Sequence, residues 1–213
     1  MVFAVCMKIL AVADIHGSQY RLNTLLDNIK KYSPDLVIIC GDITQFGPGA
    51  VAINFLNQIP VETLAVPGNI DTPEVGEAII KSKAENIDLK KVTKNNFSFI
   101  GMGGEIISSK PIILDKGHKK PIEEIIDENT VLVTHVPPYK LQDNVFIGRN
   151  IGSKELKSFV EKYQPKLVLC GHVHEDPGMT MFHDTVIVNC SMGKRTEGAL
   201  IEINEGIDVN ILD

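Results

Sequence analysis

The sequence has little positive charge, no closely paired cysteines and no long apolar run. Its 213 residues carry a formal net charge of −6. A protein that binds long nucleic acid usually presents a basic stripe, so we expect no long nucleic-acid partner. The apolar opening is too short to span a bilayer and leads directly to Asp14, so it is interpreted as the first strand and we expect no membrane partner.

The four cysteines include no C-x-x-C pair. Three of them, Cys40, Cys170 and Cys190, end short apolar runs of the kind that form buried strands. Free cysteine behaves as a small apolar side chain in a core, so we predict buried, reduced thiols. Reduced thiols indicate a reducing compartment, and we expect the protein in the cytoplasm.

The composition is that of an ordinary globular protein, with 44% apolar and 23% charged residues. No repeat, linker or low-complexity segment divides the chain. The length suits one well-buried core better than two, so we predict a single domain over residues 1–213.

Hydrophobic runs and helical patterns alternate in the first third of the chain. Apolar runs that end at Asp14, Asp42 and Asn69 are separated by helical patterns over residues 20–31 and 50–58. Such alternation predicts a parallel sheet covered by helices, with ligands at the carboxyl ends of its strands. A further helix is expected near residues 153–163, and residues 112–128 are expected to form a polar loop with a short acidic helix. After Gly178 the close spacing of apolar runs and turns indicates antiparallel strands, which gives an α/β protein with two packed sheets flanked by helices.

Five predicted strand ends lead into polar motifs of one kind: ADIHG, CGD, PGNID, VTHVPP and CGHVHE. Their candidate ligands are Asp14, His16, Asp42, Asn69, His135, His172 and His174. Asp14 with His16, and His172 with His174, are two residues apart, so both side chains of each pair can point to one side of an extended chain. Each pair can therefore bind one site from two directions.

Carboxylate, imidazole and amide ligands without thiolate suit manganese, iron, zinc, cobalt or nickel, and disfavour a closed structural zinc site. Two such ions about 3.5–4 Å apart can share a water, lower its pKa and hold a phosphoryl group during in-line displacement. A bridging carboxylate is then needed, and Asp42 is the natural candidate.

The ordered motifs, which run from Asp14 to His174, resemble those of the calcineurin-like metallophosphoesterase superfamily: DxH, GD, GNH followed by an acid, a later histidine, and GHxH. This resemblance implies a four-layer α/β/β/α sandwich and two divalent transition-metal ions, with manganese favoured. By the same resemblance one ion would be held by Asp14, His16, Asp42 and His174, and the other by Asp42, Asn69, His135 and His172. It also implies that Asp42, Asn69 and His135 take part in catalysis, with a hydroxide between the ions as the attacking group.

One position departs from the superfamily pattern, because Ile70 occupies the place of the histidine in GNH. Isoleucine cannot protonate a leaving oxygen, and acid catalysis typically contributes about 10²–10⁴-fold. Alkyl monoesters should suffer most from this loss, so we favour phosphodiester hydrolysis. Asp71, which orients that histidine in relatives, then lacks its partner, and Asp71 and Thr72 are interpreted as helix caps before Pro73.

Two alternatives to a phosphodiesterase remain open. One is a phosphomonoesterase or protein phosphatase, which the missing histidine and the short chain disfavour. The other is a metal-binding scaffold of the same fold with weak turnover. Whether the protein is a phosphodiesterase or a phosphatase, its substrate would be a small phosphorylated compound. Arg149 could bind the phosphate of that substrate, although a solvated loop arginine is the simpler interpretation of this residue.

Overall fold

The computed structural model describes residues 6–105, 108, 110–146 and 148–213. Strand and helix alternate in the first part of the chain: β1 (Met7–Val12), α1 (Gln19–Tyr32), β2 (Leu36–Cys40), α2 (Gly49–Gln58), β3 (Thr63–Val66), α3 (Pro73–Lys81) and β4 (Glu85–Asn86). The later elements are β5 (Lys90–Lys94), β6 (Phe97–Met102), β7 (Ile112–Asp115), β8 (His118–Pro121), a 3-10 turn (Ile122–Glu124), β9 (Thr130–Thr134), β10 (Asn144–Val145), β11 (Arg149–Asn150), α4 (Lys154–Tyr163), β12 (Leu167–Cys170), β13 (Gly178–Phe182), β14 (Thr185–Asn189), β15 (Gly198–Ile203) and β16 (Ile207–Leu212).

Two mixed sheets contain nearly all of these strands. The first has the order β16-β15-β1-β2-β3-β4, in which β1 to β4 are parallel and β15 runs antiparallel to β1. The second has the order β13-β14-β12-β9-β6-β5-β7-β8, with β14, β12, β9 and β6 parallel to one another. Strands β10 and β11 form a separate small hairpin.

The sheets pack face to face, and helices cover their outer faces. Ile38 of the first sheet and Phe99 of the second lie in the apolar layer between them. Leu25 of α1 belongs to the apolar cluster outside the first sheet, to which α2 and α3 also contribute. Leu156 and Val160 of α4 pack outside the second sheet. The predicted α/β/β/α sandwich is confirmed.

The predicted helices form where their sequence signals place them. Ser18 precedes α1 and its hydroxyl accepts a hydrogen bond from the backbone N–H of Arg21. Ser153 caps α4 in the same way through the N–H of Leu156, at 3.0 Å. Pro73 is the first residue of α3, a position where the missing N–H costs nothing.

Two segments differ from the sequence-based expectation. Residues 112–128 were expected to be a loop with a short acidic helix, but β7 and β8 form an antiparallel hairpin before the 3-10 turn. Strand β14 pairs antiparallel with β13, as expected, but it also pairs in parallel with β12. Turn spacing along the chain predicts the hairpin partner only; the second neighbour is decided by the packing of the sheet.

Cys40, Cys170 and Cys190 are free and buried, as their positions at strand ends predicted. Burial raises the pKa of the Cys40 and Cys170 thiols well above their ordinary value, which makes them poor nucleophiles.

Across the described residues, no helix is both long and apolar enough to cross a membrane.

Candidate metal centre

All seven candidate ligands lie just beyond the carboxyl ends of parallel strands. Asp14, Asp42 and Asn69 follow β1, β2 and β3 of the first sheet. His135 follows β9 and His172 follows β12 of the second sheet. Because the two sheets are stacked, these loops meet at one edge of the sandwich, where open α/β sheets bind ligands.

The first group of ligand atoms brings together Asp14, His16 and His174. The Nε2 atoms of the two imidazoles lie 3.2 Å apart. The Oδ1 atom of Asp14 lies 3.3 Å from Nε2 of His174 and 3.8 Å from Nε2 of His16. One nitrogen or oxygen from each of the three residues therefore borders a common space.

The second group surrounds Nε2 of the fully buried His135. Three atoms approach this nitrogen: Oδ1 of Asn69 at 2.8 Å, Nδ1 of His172 at 3.2 Å and Oδ2 of Asp42 at 3.4 Å. The other ring nitrogen, Nδ1, pairs with the carbonyl oxygen of Cys40 at 2.9 Å. That bond fixes the ring with Nδ1 as donor and leaves Nε2 free to bind a cation.

Asp42 lies between the two groups. Its Oδ2 atom is 3.4 Å from Nε2 of His135 and 4.0 Å from Nδ1 of His16. Its Oδ1 atom accepts a hydrogen bond from the backbone N–H of Ile70 at 3.2 Å. The carboxylate is thus anchored by one oxygen, and its other oxygen lies within 4.0 Å of an imidazole from each group. Asp14, Asp42 and His135 also bring one ligand atom each within 4.8 Å of one another, which connects the two groups.

Two polar atoms of the first group are buried without a hydrogen-bond partner among the described residues: Oδ1 of Asp14 and Nδ1 of His16. Leaving a buried polar atom unpaired costs about 1–3 kcal/mol, so each calls for a missing partner. Ligand atoms bound to one ion at about 2.0–2.2 Å lie roughly 3 Å from each other, which agrees with the spacings in both groups. The residues therefore fit divalent metal ions.

The backbone at this edge is strained at four of the seven residues. Asp14, His16, Asp42 and His172 have φ values of 62°, 53°, 52° and 71°, in the left-handed region. For residues other than glycine this conformation typically costs roughly 1–3 kcal/mol, and it concentrates at functional sites. The surrounding strands hold these residues in conformations that point their side chains toward one another.

Two glycines permit the loops to approach closely. A Cβ atom on Gly68 would lie 2.0 Å from Oδ1 of Asp42. A Cβ atom on Gly41, whose φ is +88°, would lie 2.7 Å from Nδ1 of His135. Neither position can hold a larger residue while Asp42 and His135 keep their places.

The carboxylates and imidazoles shift one another's pKa. Burial alone would raise the pKa of Asp14, but the imidazole of His174, whose Nε2 lies 3.3 Å from Oδ1, and the charge of His135 lower it to about 2. The same contact raises the pKa of His174 above its ordinary value. Burial opposes protonation of His135, but the nearby carboxylates of Asp42 and Asp14 together outweigh it and raise the pKa. Burial and the charge of His135 lower the pKa of His172.

The interpretation of Asp71 as a helix cap is wrong. The N-cap of α3 is Thr72, which makes no side-chain capping hydrogen bond. Asp71 instead accepts four hydrogen bonds: from the N–H groups of Ile43, Thr44 and Gly68, and from the hydroxyl of Thr44, all at 2.9–3.0 Å. Its carboxylate joins the loop that carries Asp42 to the loop that carries Asn69.

Two further residues support the centre and were not singled out from the sequence. Arg21 donates from its guanidinium to the carbonyl oxygen of Asp14. Asn189, fully buried at the end of β14, donates to three carbonyl groups, including that of Val173 at 2.8 Å, and accepts from Ser191. The polar segment NCSMG, residues 189–193, follows an apolar run and could have drawn attention to Asn189, whereas no pattern marks Arg21.

Arg149 belongs to neither group of ligand atoms. It is exposed and lines a cavity of about 1050 Å³ together with Tyr139 and Val136. Val136 directly follows His135, so this cavity adjoins the second group of ligand atoms. The placement is compatible with a substrate contact, which stays a prediction.

The chain belongs to the calcineurin-like phosphoesterase family, whose model matches residues 7–176. It is 33% identical over 201 residues to an uncharacterised protein of Methanocaldococcus jannaschii, a match that covers 87% of this chain and 88% of the relative. It is 29% identical over 175 residues to a probable glycerophosphodiester phosphodiesterase of Arcobacter nitrofigilis, covering 76% of this chain and 64% of the relative.

The fold is also that of TT1561 of Thermus thermophilus, whose crystal structure superposes with a TM-score of 0.68 at 16% identity. The match covers 97% of this chain and 99% of that chain. The family supports a hydrolase that acts on phosphoric esters, and the site contains the nitrogen and oxygen ligands that such an enzyme needs for divalent metal ions.

Proposed function

We propose that this protein is a dinuclear metal-dependent phosphodiesterase. The observation that carries the proposal is the position of Asp42, whose Oδ2 atom lies within 4.0 Å of an imidazole from each group. The name of the Arcobacter relative, a probable glycerophosphodiester phosphodiesterase, points in the same direction.

In this proposal one ion would be held by Asp14, His16, Asp42 and His174, and the other by Asp42, Asn69, His135 and His172. Manganese is the favoured metal, and iron, zinc, nickel and cobalt have compatible ligand preferences. When bound, two such ions would activate a water molecule and offset the charge that builds up on the phosphoryl oxygens.

The chain's own residues would organise this chemistry. In the neutral ring, the bond from Nδ1 of His135 to the carbonyl of Cys40 places the proton on Nδ1 and leaves the lone pair of Nε2 directed at the site. Asp42 is held by the N–H of Ile70, so its second oxygen keeps a fixed direction. Asn69 is exposed, and its amide is the ligand group that a substrate oxygen would meet on arrival. Fixed groups of this kind stabilise a transition state without further reorganisation.

Ile70 supports a preference for diesters over alkyl monoesters. Its backbone N–H donates to Asp42, which places residue 70 next to the proposed bridging carboxylate, but its side chain has no proton to give. A good leaving group departs without acid assistance, whereas an alkoxide needs it. We therefore expect activated and aryl diesters to be hydrolysed faster than alkyl monoesters.

The substrate is proposed to be small and phosphorylated, with Arg149 as a phosphate contact in the 1050 Å³ cavity. The net charge of −6 supports the absence of a long nucleic-acid partner. The free, buried thiols support a reducing, cytoplasmic location.

The proposal is tested with metal-free protein reloaded with manganese, nickel or zinc. Hydrolysis of bis-p-nitrophenyl phosphate and of p-nitrophenyl phosphate is measured in parallel, and bound metal is counted by elemental analysis. We expect two ions per chain and faster cleavage of the diester. Faster cleavage of the monoester would favour the phosphatase alternative. Two bound metal ions per chain without hydrolysis of either ester would favour the metal-binding scaffold.

Asp42→Asn should lower diester turnover at least a hundredfold, because an amide is a weak bridge between two cations. Asp27→Asn, on the exposed face of α1, is the matched control and should keep full activity. Near-normal turnover in Asp42→Asn would remove the bridging role and with it the dinuclear proposal.

A further inference from the structure

A second cavity adjoins the candidate metal centre on the side of His174. It has a volume of about 430 Å³ and lies between the start of α1 and the loop after β14. Two contacts connect its wall to the ligands: the N–H of Met192 donates to the carbonyl of Ala13 at 3.0 Å, and Arg21 donates to the carbonyl of Asp14. A Cβ atom on Gly193 would lie 3.8 Å from the carbonyl oxygen of His174.

Three cationic side chains line this cavity: Arg21, Lys194 and Arg195. Within the part of the chain that the structure describes, no carboxylate lies at ion-pair distance from any of them. Two carboxylates, those of Glu197 and Asp213, also line the cavity, and the Glu197 carboxylate accepts a hydrogen bond from Asn28 of α1 at 3.0 Å. Three cations against two carboxylates give the lining an excess of positive charge, in a chain whose net charge is −6.

The loop that carries two of these cations is held in place. The N–H of Gly193 donates to the carbonyl of Thr196 at 2.9 Å, which closes a turn around Lys194 and Arg195. The hydroxyl of Thr196 donates to the carbonyl of Ser191 at 2.8 Å, beside the end of β14. The two exposed side chains therefore extend from a fixed turn next to the centre, and Arg21 faces them from α1.

We propose that this cavity binds a second phosphate group on the substrate, so that the preferred substrates are phosphodiesters with an additional phosphate outside the scissile bond. The inference rests on the proposed phosphodiesterase function and deepens it. A guanidinium binds phosphate through two parallel hydrogen bonds, and lysine adds a compact positive charge. Two residues of the cavity wall, Arg21 and Gly193, lie against the backbone carbonyls of Asp14 and His174. A group attached to the scissile phosphate would therefore reach the cavity while the ester lies at the metal centre.

The test separates binding from hydrolysis. Metal-free protein, in the presence of a chelator, is titrated calorimetrically with thymidine 3′,5′-bisphosphate and with thymidine 5′-monophosphate. We expect the bisphosphate to bind at least tenfold more tightly. The double variant Lys194→Gln/Arg195→Gln should bring the two dissociation constants within twofold. The matched control Lys116→Gln/Lys119→Gln, which removes two exposed charges around the β7–β8 turn, should keep the preference.

The same comparison is made in turnover with manganese-loaded enzyme. The substrates are the p-nitrophenyl ester of thymidine 5′-phosphate with and without a 3′-phosphate. We expect the ratio of their kcat/KM values to favour the 3′-phosphorylated ester about tenfold, and to fall toward one in Lys194→Gln/Arg195→Gln.

Each result bears on one proposal only. Equal binding of the two nucleotides by the parent protein, or a preference that survives Lys194→Gln/Arg195→Gln, would overturn the phosphate subsite while leaving hydrolysis intact. A binding preference that the double variant removes, in a protein without turnover, would keep the subsite and end the phosphodiesterase proposal. Circular dichroism of each variant shows whether it is folded, and Arg195→Lys is expected to retain most of the preference if charge at this turn is what binds.

Discussion

Replacement of Asp71 by asparagine tests whether this carboxylate joins two ligand-bearing loops. Asparagine has the same shape, but it has one accepting oxygen where aspartate has two. In one orientation the N–H groups of Ile43 and Gly68 lose their acceptor; in the other, the N–H and hydroxyl of Thr44 lose theirs. In both, an NH₂ group faces a backbone N–H.

The cost follows from the burial of these donors. Ile43 and Thr44 are fully buried, so a donor that loses its acceptor there finds no water. Each unpaired buried donor costs about 1–3 kcal/mol, and the hydroxyl of Thr44 can rotate while the N–H cannot. We therefore expect Asp71→Asn to lower the free energy of unfolding by about 2–3 kcal/mol. This figure combines the unpaired donors in the more favourable orientation of the asparagine amide with the loss of the carboxylate charge.

Urea unfolding of metal-free protein, followed by circular dichroism, measures this change as a lower midpoint at an unchanged slope, by about 1 M urea. Asp27→Asn is the control, because its exposed ion pair with Lys30 should contribute less than about 0.5 kcal/mol. If Asp71 were a helix cap, asparagine would replace it at little cost. A decrease of less than about 0.5 kcal/mol in the free energy of unfolding of Asp71→Asn would therefore refute the role of this carboxylate in joining the two loops.

Three further predictions follow from the site. Ile70→His should raise p-nitrophenyl phosphate hydrolysis about tenfold or more relative to the diester by restoring an acid beside the centre; an unchanged ratio would show that the missing acid does not set the preference. Asp14→Asn should lower the pKa of His174 in metal-free protein, because the contact of its Nε2 with the Asp14 carboxylate is the main cause that raises it; a chemical-shift titration that gave the same pKa in both proteins would contradict this. Since metal binds the neutral imidazole, metal affinity should also weaken as the pH falls through that raised pKa. Gly68→Ala should abolish binding of the ions that Asp42 would bridge, because the added Cβ atom would lie 2.0 Å from Oδ1 of Asp42. Normal metal content in a folded variant would disprove the close approach of Gly68 to Asp42.

The sequence predicted the sandwich because its signals are local. Apolar runs such as β2 and β12 are buried along their whole length, and the helices between them begin at residues with clear capping or first-turn preferences. The seven candidate ligands were recognisable for the same reason: each follows a strand end, and parallel strands bring such ends to one edge. The hairpin β7–β8 was missed because β7 has an unbroken apolar run of only three residues and β8 is polar and largely exposed, so neither shows the alternation that identifies a strand.

The sequence by itself determined which residues are available for chemistry: the ordered aspartates, histidines and asparagine, and the isoleucine where a proton donor would otherwise stand. Only the tertiary structure decided how they are used. It gave Asp71 four hydrogen-bond donors from two loops, paired β14 with β12, and placed Arg21 against the carbonyl of Asp14. These contacts join residues that lie far apart in the chain or lack a periodic signal. Their energy depends on distance and burial in the folded protein, which residue type and spacing do not record.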